Sequence, residues 1–174
     1  MKCVMCGHEG MQEKTTDYVY DASGLAVTLK GVRAWVCDEC GEEEVEVQSP
    51  GQLEVALAKA LLGLPGRLEG AEIRFLRKFL GYSGKDFAKL IGVNPATLSR
   101  WEAGKKTMDR GNENTLRLLA AQGHRITDYE AFDEVENMLN RIGGKAPDGL
   151  RPLKLQEVAG VWKVLPSASL PVRS

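Results

Sequence analysis

Four cysteines form two identical clips, CVMC at residues 3–6 and CDEC at residues 37–40, and the chain contains no other cysteine. Two CxxC clips can complete a tetrahedral zinc site, because each clip supplies two thiolate sulfurs. One glycine follows each clip, at Gly7 and Gly41, where the backbone must turn tightly for its amides to point back at sulfur. The predicted ligands of one structural zinc ion are Cys3, Cys6, Cys37 and Cys40.

An iron–sulfur centre, a redox switch and disulfides are the alternative interpretations of these thiols. Disulfides are disfavoured, because the chain begins without an apolar export segment and has no apolar stretch that could span a bilayer, which predicts a cytoplasmic protein with reduced thiols. A catalytic zinc ion needs an open coordination position and a general base. Four cysteines close the shell and His8 is expected on the surface, so we predict a metal that holds a fold, no catalytic residues and no enzyme activity.

Charge is distributed unevenly along the 174 residues, although the net charge of the whole chain is only −1. Residues 1–62 carry a net charge of −6, whereas residues 66–123 carry +5. This asymmetry indicates two modules with different kinds of partner. The simpler alternative is that two solvated surfaces differ by chance.

The clips must be positioned by the segment between them, and its pattern is typical of β-strands. Residues 16–20 and 25–29 alternate around a turn at residues 21–24, and a third run at residues 32–36 leads to the second clip. We therefore predict a small antiparallel sheet stapled by zinc over residues 1–49. Such a module buries little apolar surface, so the metal is expected to supply on the order of 10 kcal/mol of its folding free energy, and chelation is expected to unfold it.

Residues 50–70 are predicted to form a connecting helix and linker. Apolar side chains recur on one helical face at Leu53, Leu57 and Leu61. The best domain boundary in the sequence is the Leu-Pro-Gly run at residues 64–66.

Residues 71–123 have the pattern of several short helices. Ser83 with Asp86 forms a capping-box-like start for one helix, and Asn94 with Pro95 starts the next. Two short helices separated by a glycine-containing turn are the parts of a helix-turn-helix. The side chains expected to face inward are Phe87, Leu90, Ile91, Leu98 and Trp101.

A recognition helix reads bases through side chains near its N-terminus and one turn later. The candidates for base contacts are Ala96, Thr97, Ser99 and Arg100. Arg100 is the strongest, because a guanidinium pairs with guanine through two hydrogen bonds, whereas its alternative role is an ion pair with Glu102 or Asp86. The candidates for phosphate contacts are Ser83, Lys85, Asn94, Lys105 and Lys106, with Arg110 in addition.

Residues 124–174 are a C-terminal extension. Residues 127–141 have the pattern of an amphipathic helix, and residues 153–155 and 161–165 are expected to pair as a hairpin. The role of the extension is open between dimerisation, partner binding and docking on the helical domain. The predicted fold class is therefore α+β: a zinc-stapled antiparallel β module, an all-α helix-turn-helix domain and a C-terminal extension.

The run "SGKDFAKLIGVNPATLSRWEAG" at residues 83–104 resembles the Xre/Cro-type helix-turn-helix. The order of parts, with a double-CxxC module first, a connecting helix and then this domain, resembles the MqsA antitoxin family, also described as YgiT-type zinc-finger antitoxins. The second clip also follows a Leu-Lys-Gly run at residues 29–31, as in that family. The resemblance extends from residue 1 to about residue 122.

This resemblance implies a type II antitoxin that represses its own operon. Base contact by Arg100 is implied as well, and so is contact by a polar residue early in the helix, where this chain departs from the family pattern and has Pro95 and Ala96. The implied partners are a palindromic operator in double-stranded DNA, a cognate toxin that is a basic ribonuclease, and a second copy of the chain in a homodimer. An acidic zinc module suits a basic toxin. The alternative function is a stand-alone zinc-containing regulator or a redox or metal sensor without a toxin partner.

Overall fold

The computed structural model describes residues 1–123, 149–150 and 152–165, and its fold class is α+β, as predicted. The strands are β1 (Met11–Val19), β2 (Val27–Cys37), β3 (Glu43–Val45), β4 (Leu153–Val158) and β5 (Val161–Val164). The helices are α1 (Pro50–Gly63), α2 (Gly70–Phe79), α3 (Gly84–Leu90), α4 (Pro95–Glu102) and α5 (Arg110–Gly123), with a short 3₁₀ turn at Asp21–Ser23. Contacts divide the chain into a sheet unit, which contains all five strands, and a helical unit, which contains α2 to α5.

The central strand of the sheet is β2, which pairs with β1 and β3 in antiparallel orientation. The two strands expected at residues 25–29 and 32–36 are one continuous strand, so that prediction is wrong. Opposite residues 16–18 of β1, strand β2 carries one extra residue, and Gly31 there has a φ of +63°. This bulge shifts the two-residue alternation without ending the strand. As a result, side chains from both halves of β2 are buried: Val27, Leu29, Val32 and Ala34.

The C-terminal hairpin belongs to the same sheet. Residues 153–156 of β4 pair in parallel with residues 27–30 of β2, and β5 pairs antiparallel with β4. Leu155 is fully buried, and buried Trp162 donates from Nε1 to the carbonyl oxygen of Gln48 at 3.1 Å. The sheet is thus not wholly antiparallel, because a chain segment distant in sequence has joined its central strand. The helix expected at residues 127–141 lies outside the described residues.

The starts of α3 and α4, the two helices of the predicted helix-turn-helix, are each set by a side-chain cap. Ser83 Oγ accepts a hydrogen bond from the Asp86 amide at 3.1 Å, and Asn94 Oδ1 accepts one from the Ala96 amide at 2.8 Å, with Pro95 in the first turn of α4. Both predicted caps are therefore present. Each satisfies an amide that the helix itself leaves unpaired.

The core of the helical unit contains most of the side chains expected there. Phe87, Leu98 and Trp101 are buried, but Leu90 is 50% exposed, so its predicted burial is wrong. The buried direction of α3 is defined by Phe87 and Ala88. Leu90 lies on a different side of this short helix, because successive residues are rotated by about 100°.

A buried ionic cluster fixes the end of α1 to α5. Arg117 donates to Glu113 Oε1 at 3.1 Å and to the carbonyl oxygens of Leu61 and Gly66 at 3.3 and 3.0 Å. Arg67 also donates to Glu113, at 2.5 Å. Charge-assisted hydrogen bonds therefore hold the Leu-Pro-Gly segment to α5, through its own residue Gly66 and through the neighbouring Arg67.

Candidate metal centre and nucleic-acid interface

The two cysteine clips fold in the same way. The Gly7 amide donates to the Cys3 carbonyl at 3.0 Å, and the Gly41 amide donates to the Cys37 carbonyl at 2.9 Å. Both glycines have positive φ, 75° and 72°, which a residue without a Cβ adopts at little cost. Each clip is thus a tight knuckle, and the first cysteine of each is buried while the second is exposed.

The fold brings the four thiols together. Their Sγ atoms all lie within 4.8 Å of one another, with 3.6 Å between Cys3 and Cys40 and 3.5 Å between Cys6 and Cys37. A tetrahedral zinc ion with Zn–S bonds of about 2.3 Å requires sulfurs about 3.8 Å apart. The arrangement therefore fits a thiophilic ion, and the four cysteines are positioned to bind one metal.

Backbone amides point at the sulfurs, as the clip spacing predicts. Hydrogen bonds from the amides of Cys6 and Met5 lower the pKa of Cys3 to about 7. The Glu42 amide acts to lower the pKa of Cys40, but the thiol of Cys6, burial and the remaining thiols together raise it to about 12. The pKa values diverge because adjacent thiolates repel one another. A cation among the sulfurs removes that repulsion, so metal binding is coupled to proton release.

Helix α2 contacts the C-terminal end of α4 and holds it in place. Arg77 donates to both carboxylate oxygens of Glu102, at 2.6 and 3.2 Å, and to the Tyr82 carbonyl at 2.7 Å. At the start of α2, a Cβ on Gly70 would lie 2.7 Å from the carbonyl oxygens of Trp101 and Glu102. Only glycine permits this approach without a backbone shift. The ion pair and the close contact together fix the C-terminal end of α4.

The four candidates for base contacts lie on α4 with the predicted orientation. Ala96, Ser99 and Arg100 are exposed and Thr97 is half-buried, whereas Leu98 and Trp101 face the core. Glu102, one suggested ion-pair partner of Arg100, is engaged by Arg77. Within the described parts of the chain, no ion pair involves Arg100. Its guanidinium is thus available to a ligand.

The candidates for phosphate contacts all lie at the surface of the helical unit. Lys85, Lys105 and Lys106 are exposed. Ser83 and Asn94 are exposed as well, although both serve as helix caps, and the Ser83 hydroxyl also donates to Asp86 Oδ2 at 2.6 Å. Asn94 caps α4 through Oδ1, so its side-chain nitrogen Nδ2 remains able to contact a phosphate. The Ser83 hydroxyl would first have to give up its hydrogen bond to Asp86.

Sequence reasoning missed two groups that shape this unit. The contact between Arg77 and Glu102 joins residues 25 positions apart, and no local pattern indicates it. The pair Glu113 and Arg117 has a visible four-residue spacing on α5, which is the signal that could have revealed it. The missed groups contact protein rather than solvent, so they position α4 and α5.

A family model for the antitoxin component of a bacterial toxin-antitoxin system, MqsA, matches residues 1–126. The chain belongs to the MqsA antitoxin family. The match contains both cysteine clips and helices α1 to α5, and it ends before the C-terminal hairpin. A search of curated proteins and a search of solved structures each gave no significant match.

Membership of the MqsA antitoxin family supports an antitoxin role and implies a cognate toxin as partner. The family consists of antitoxin regulators rather than enzymes. Its zinc-finger character agrees with the four thiols gathered in the sheet unit. None of the described helices is both long and apolar enough to cross a membrane.

Proposed function

We propose that this chain is the antitoxin of a type II toxin-antitoxin pair and a sequence-specific repressor that binds operator DNA through α4. The observation that carries this proposal is the exposed Arg100 on the outward face of α4. Asn94 caps the start of this helix, and the ion pair between Arg77 and Glu102 holds its end. A helix held in this way can enter the major groove with its side chains already oriented. The positive charge of residues 66–123 adds attraction to phosphate.

The contacts are divided between bases and backbone. Arg100 pairs with guanine, Ala96 or Thr97 contacts a thymine methyl group, and Ser99 hydrogen-bonds a neighbouring base. Lys85, Lys105 and Lys106 contact phosphates, with Ser83 and Asn94 at the helix starts. Two copies of the chain bind a palindromic operator with half-sites about one helical turn apart. The protein thus acts on DNA as a homodimer.

In the proposal, the metal held by the four cysteines is one zinc ion, and it stabilises the sheet unit without taking part in a reaction. Closed tetrathiolate shells are typical of structural zinc. The sheet unit binds the toxin. The net charge of −6 over residues 1–62 supports a basic partner, such as a ribonuclease.

Replacing Arg100 with alanine tests the DNA-binding part of the proposal. We expect Arg100→Ala to weaken binding to the promoter DNA of the chain's own operon by about 1–3 kcal/mol and to relax specificity at one base position. Binding to promoter variants with single base changes, measured at fixed salt concentration, checks both effects.

Lys78→Ala is the charge-matched control, because Lys78 is an exposed lysine of α2 in the same unit. It removes the same charge but no base contact, so its effect should be smaller and equal for all promoter variants. If Arg100→Ala and Lys78→Ala behave alike, Arg100 does not read the operator.

A further inference from the structure

Three strands in the described part of the chain are paired on one side only, and they differ in how they are protected against pairing with another chain. The strand order is β1-β2-β4-β5, with β3 beside β2, so the edge strands are β1, β5 and β3, and β3 is only three residues long. An edge strand presents unpaired amides and carbonyls, which proteins usually protect with short length, proline, bulges or charged side chains, above all lysine.

The β5 edge is protected in two of these ways. It has only four residues, and one of them is the exposed Lys163. Among the described residues, no ion pair involves Lys163. Its free charge opposes the approach of a second strand.

The β1 edge is long and lacks most of these protections. It has nine residues, contains no proline, and the bulge of the sheet lies on β2 instead. It does carry three charged side chains, but each one is paired within the sheet: Glu13 with Arg33, Lys14 with Glu43, and Asp17 with Lys30. Seven of its nine residues are exposed. Among the described residues, no strand pairs with the outer side of β1.

Hydrogen bonds at the two ends of β1 show which of its backbone groups face β2. The Gly10 carbonyl accepts from the Asp38 amide at 3.2 Å, and the Tyr20 amide donates to the Val27 carbonyl at 3.0 Å. Backbone groups alternate along an antiparallel strand, so even-numbered residues face β2. The amides and carbonyls of Glu13, Thr15 and Asp17 consequently face outward.

We infer that β1 is a strand-addition site at which an extended segment of the cognate toxin pairs with the outward backbone of residues 13–17. This inference rests on the proposed toxin-binding function and names the surface that performs it. The occupant is assigned from charge, because the surrounding residues 1–62 are strongly acidic and favour a basic partner over a second acidic copy. Main-chain hydrogen bonds provide the affinity in this mode of recognition.

Residue-resolved amide hydrogen exchange of the unmodified chain tests the site directly. The probe is the product of the reading frame adjacent to that of this chain, which the proposed function expects to be a small basic protein. In the free chain, the amides of Glu13, Thr15 and Asp17 should exchange fast and those of Lys14 and Thr16 slowly. Addition of the toxin should slow the three outward amides by about tenfold or more, because each gains a hydrogen-bond partner.

A proline at the centre of the edge removes one outward amide and leaves the bonds to β2 in place. Thr15→Pro should weaken toxin binding by about tenfold, while metal content and promoter binding stay unchanged. Thr15→Val is the matched control, since it changes the side chain but keeps the amide, and it should bind the toxin normally. If Thr15→Pro loses its metal, the exchange experiment on the unmodified chain decides.

The outcomes separate the inference from the function on which it rests. Failure of the unmodified chain to bind the toxin overturns the proposed toxin-binding function. Toxin binding without slowed exchange at the outward amides overturns only the site on β1. Slow exchange at these amides before toxin is added shows that a second copy of the chain occupies the edge, which also overturns the inference.

Discussion

At the scale of single residues, each cysteine clip combines a buried cysteine, an exposed cysteine and a glycine that closes the turn. The amides released by the turn point at sulfur, which is why the pKa of Cys3 is lowered to about 7 even without a cation. Neighbouring thiols raise the pKa of Cys6 and of Cys40, which opposes their ionisation. A cation bound among the four sulfurs would remove this opposition and stabilise the sheet unit.

Replacing Cys40 with serine tests this dependence. Cys40→Ser should reduce zinc affinity by more than about a hundredfold. Replacing a residue that only supports a metal ligand already costs about 10–100-fold in affinity, and this change removes a predicted ligand itself. It should also shift the thermal unfolding of the sheet unit to lower temperature. Competition with a chromophoric chelator and circular dichroism measure the two effects.

Val4→Ser is the control for a serine in a clip, because Val4 is 77% exposed and is not a ligand. It should keep the metal and the stability of the unmodified chain. Equal zinc affinity in Cys40→Ser and Val4→Ser would show that Cys40 is not a ligand.

At the scale of elements, helices α3 and α4 are defined by local signals, and α4 is then fixed by contacts from α2. Caps determine where α3 and α4 begin, but the place of α4 depends on the Arg77–Glu102 pair and on the absence of a side chain at Gly70. Glycine at this position is therefore a packing requirement and has no relation to turn formation.

Gly70→Ala should destabilise the helical unit by about 1–3 kcal/mol, because the new methyl group would overlap backbone atoms of α4. The gain in helix propensity from alanine, up to about 1 kcal/mol, does not offset this overlap. Chemical denaturation followed by circular dichroism measures the change.

Gly84→Ala is the matched control, since Gly84 also occupies the first position of a helix and has open space around its Cβ position. This variant should be neutral or slightly more stable. Destabilisation of the same size in both variants would mean that contact with α4 is not the cause.

At the scale of the whole molecule, the C-terminal hairpin lies outside the family match but joins the sheet of the unit that contains the cysteine clips. Its buried side chains are Leu153, Leu155 and Trp162. The described hairpin of the extension is thus a structural part of the sheet unit.

Leu155→Ala should lower the free energy of unfolding of the sheet unit by about 2–5 kcal/mol, because Leu155 is fully buried against β2. The amides of residues 27–30 should exchange faster in the same variant. Gln156→Ala, at the exposed neighbouring position, should change neither quantity. An unaffected stability in Leu155→Ala would show that the hairpin does not support the sheet.

The functional division of the chain into residues 1–49, 50–70, 71–123 and 124–174 stays a prediction. In the structure, the ionic cluster around Glu113 ties the segment near residue 66 to α5, and the hairpin pairs with β2. Both contacts join residues far apart in sequence. Changes in amino-acid composition along the sequence are therefore not sufficient to locate domain boundaries, where few contacts join the two sides.

The sequence alone determined the features that depend on neighbouring residues: the cysteine clips and their glycine turns, the caps at Ser83 and Asn94, and the inward places of Leu98 and Trp101. Such features follow from local geometry and helical period. Their order along the chain was also enough to indicate the family, which the match over residues 1–126 confirms.

Only the tertiary structure decided the continuity of β2 through its bulge, the exposure of Leu90, the ion pair between Arg77 and Glu102, and the parallel pairing of the hairpin with β2. The place of β1 at the edge of the described sheet belongs to the same group, since it depends on which strands pair. These features arise from contacts between distant segments. Their free energy depends on burial and approach in three dimensions, which no run of neighbouring residues encodes.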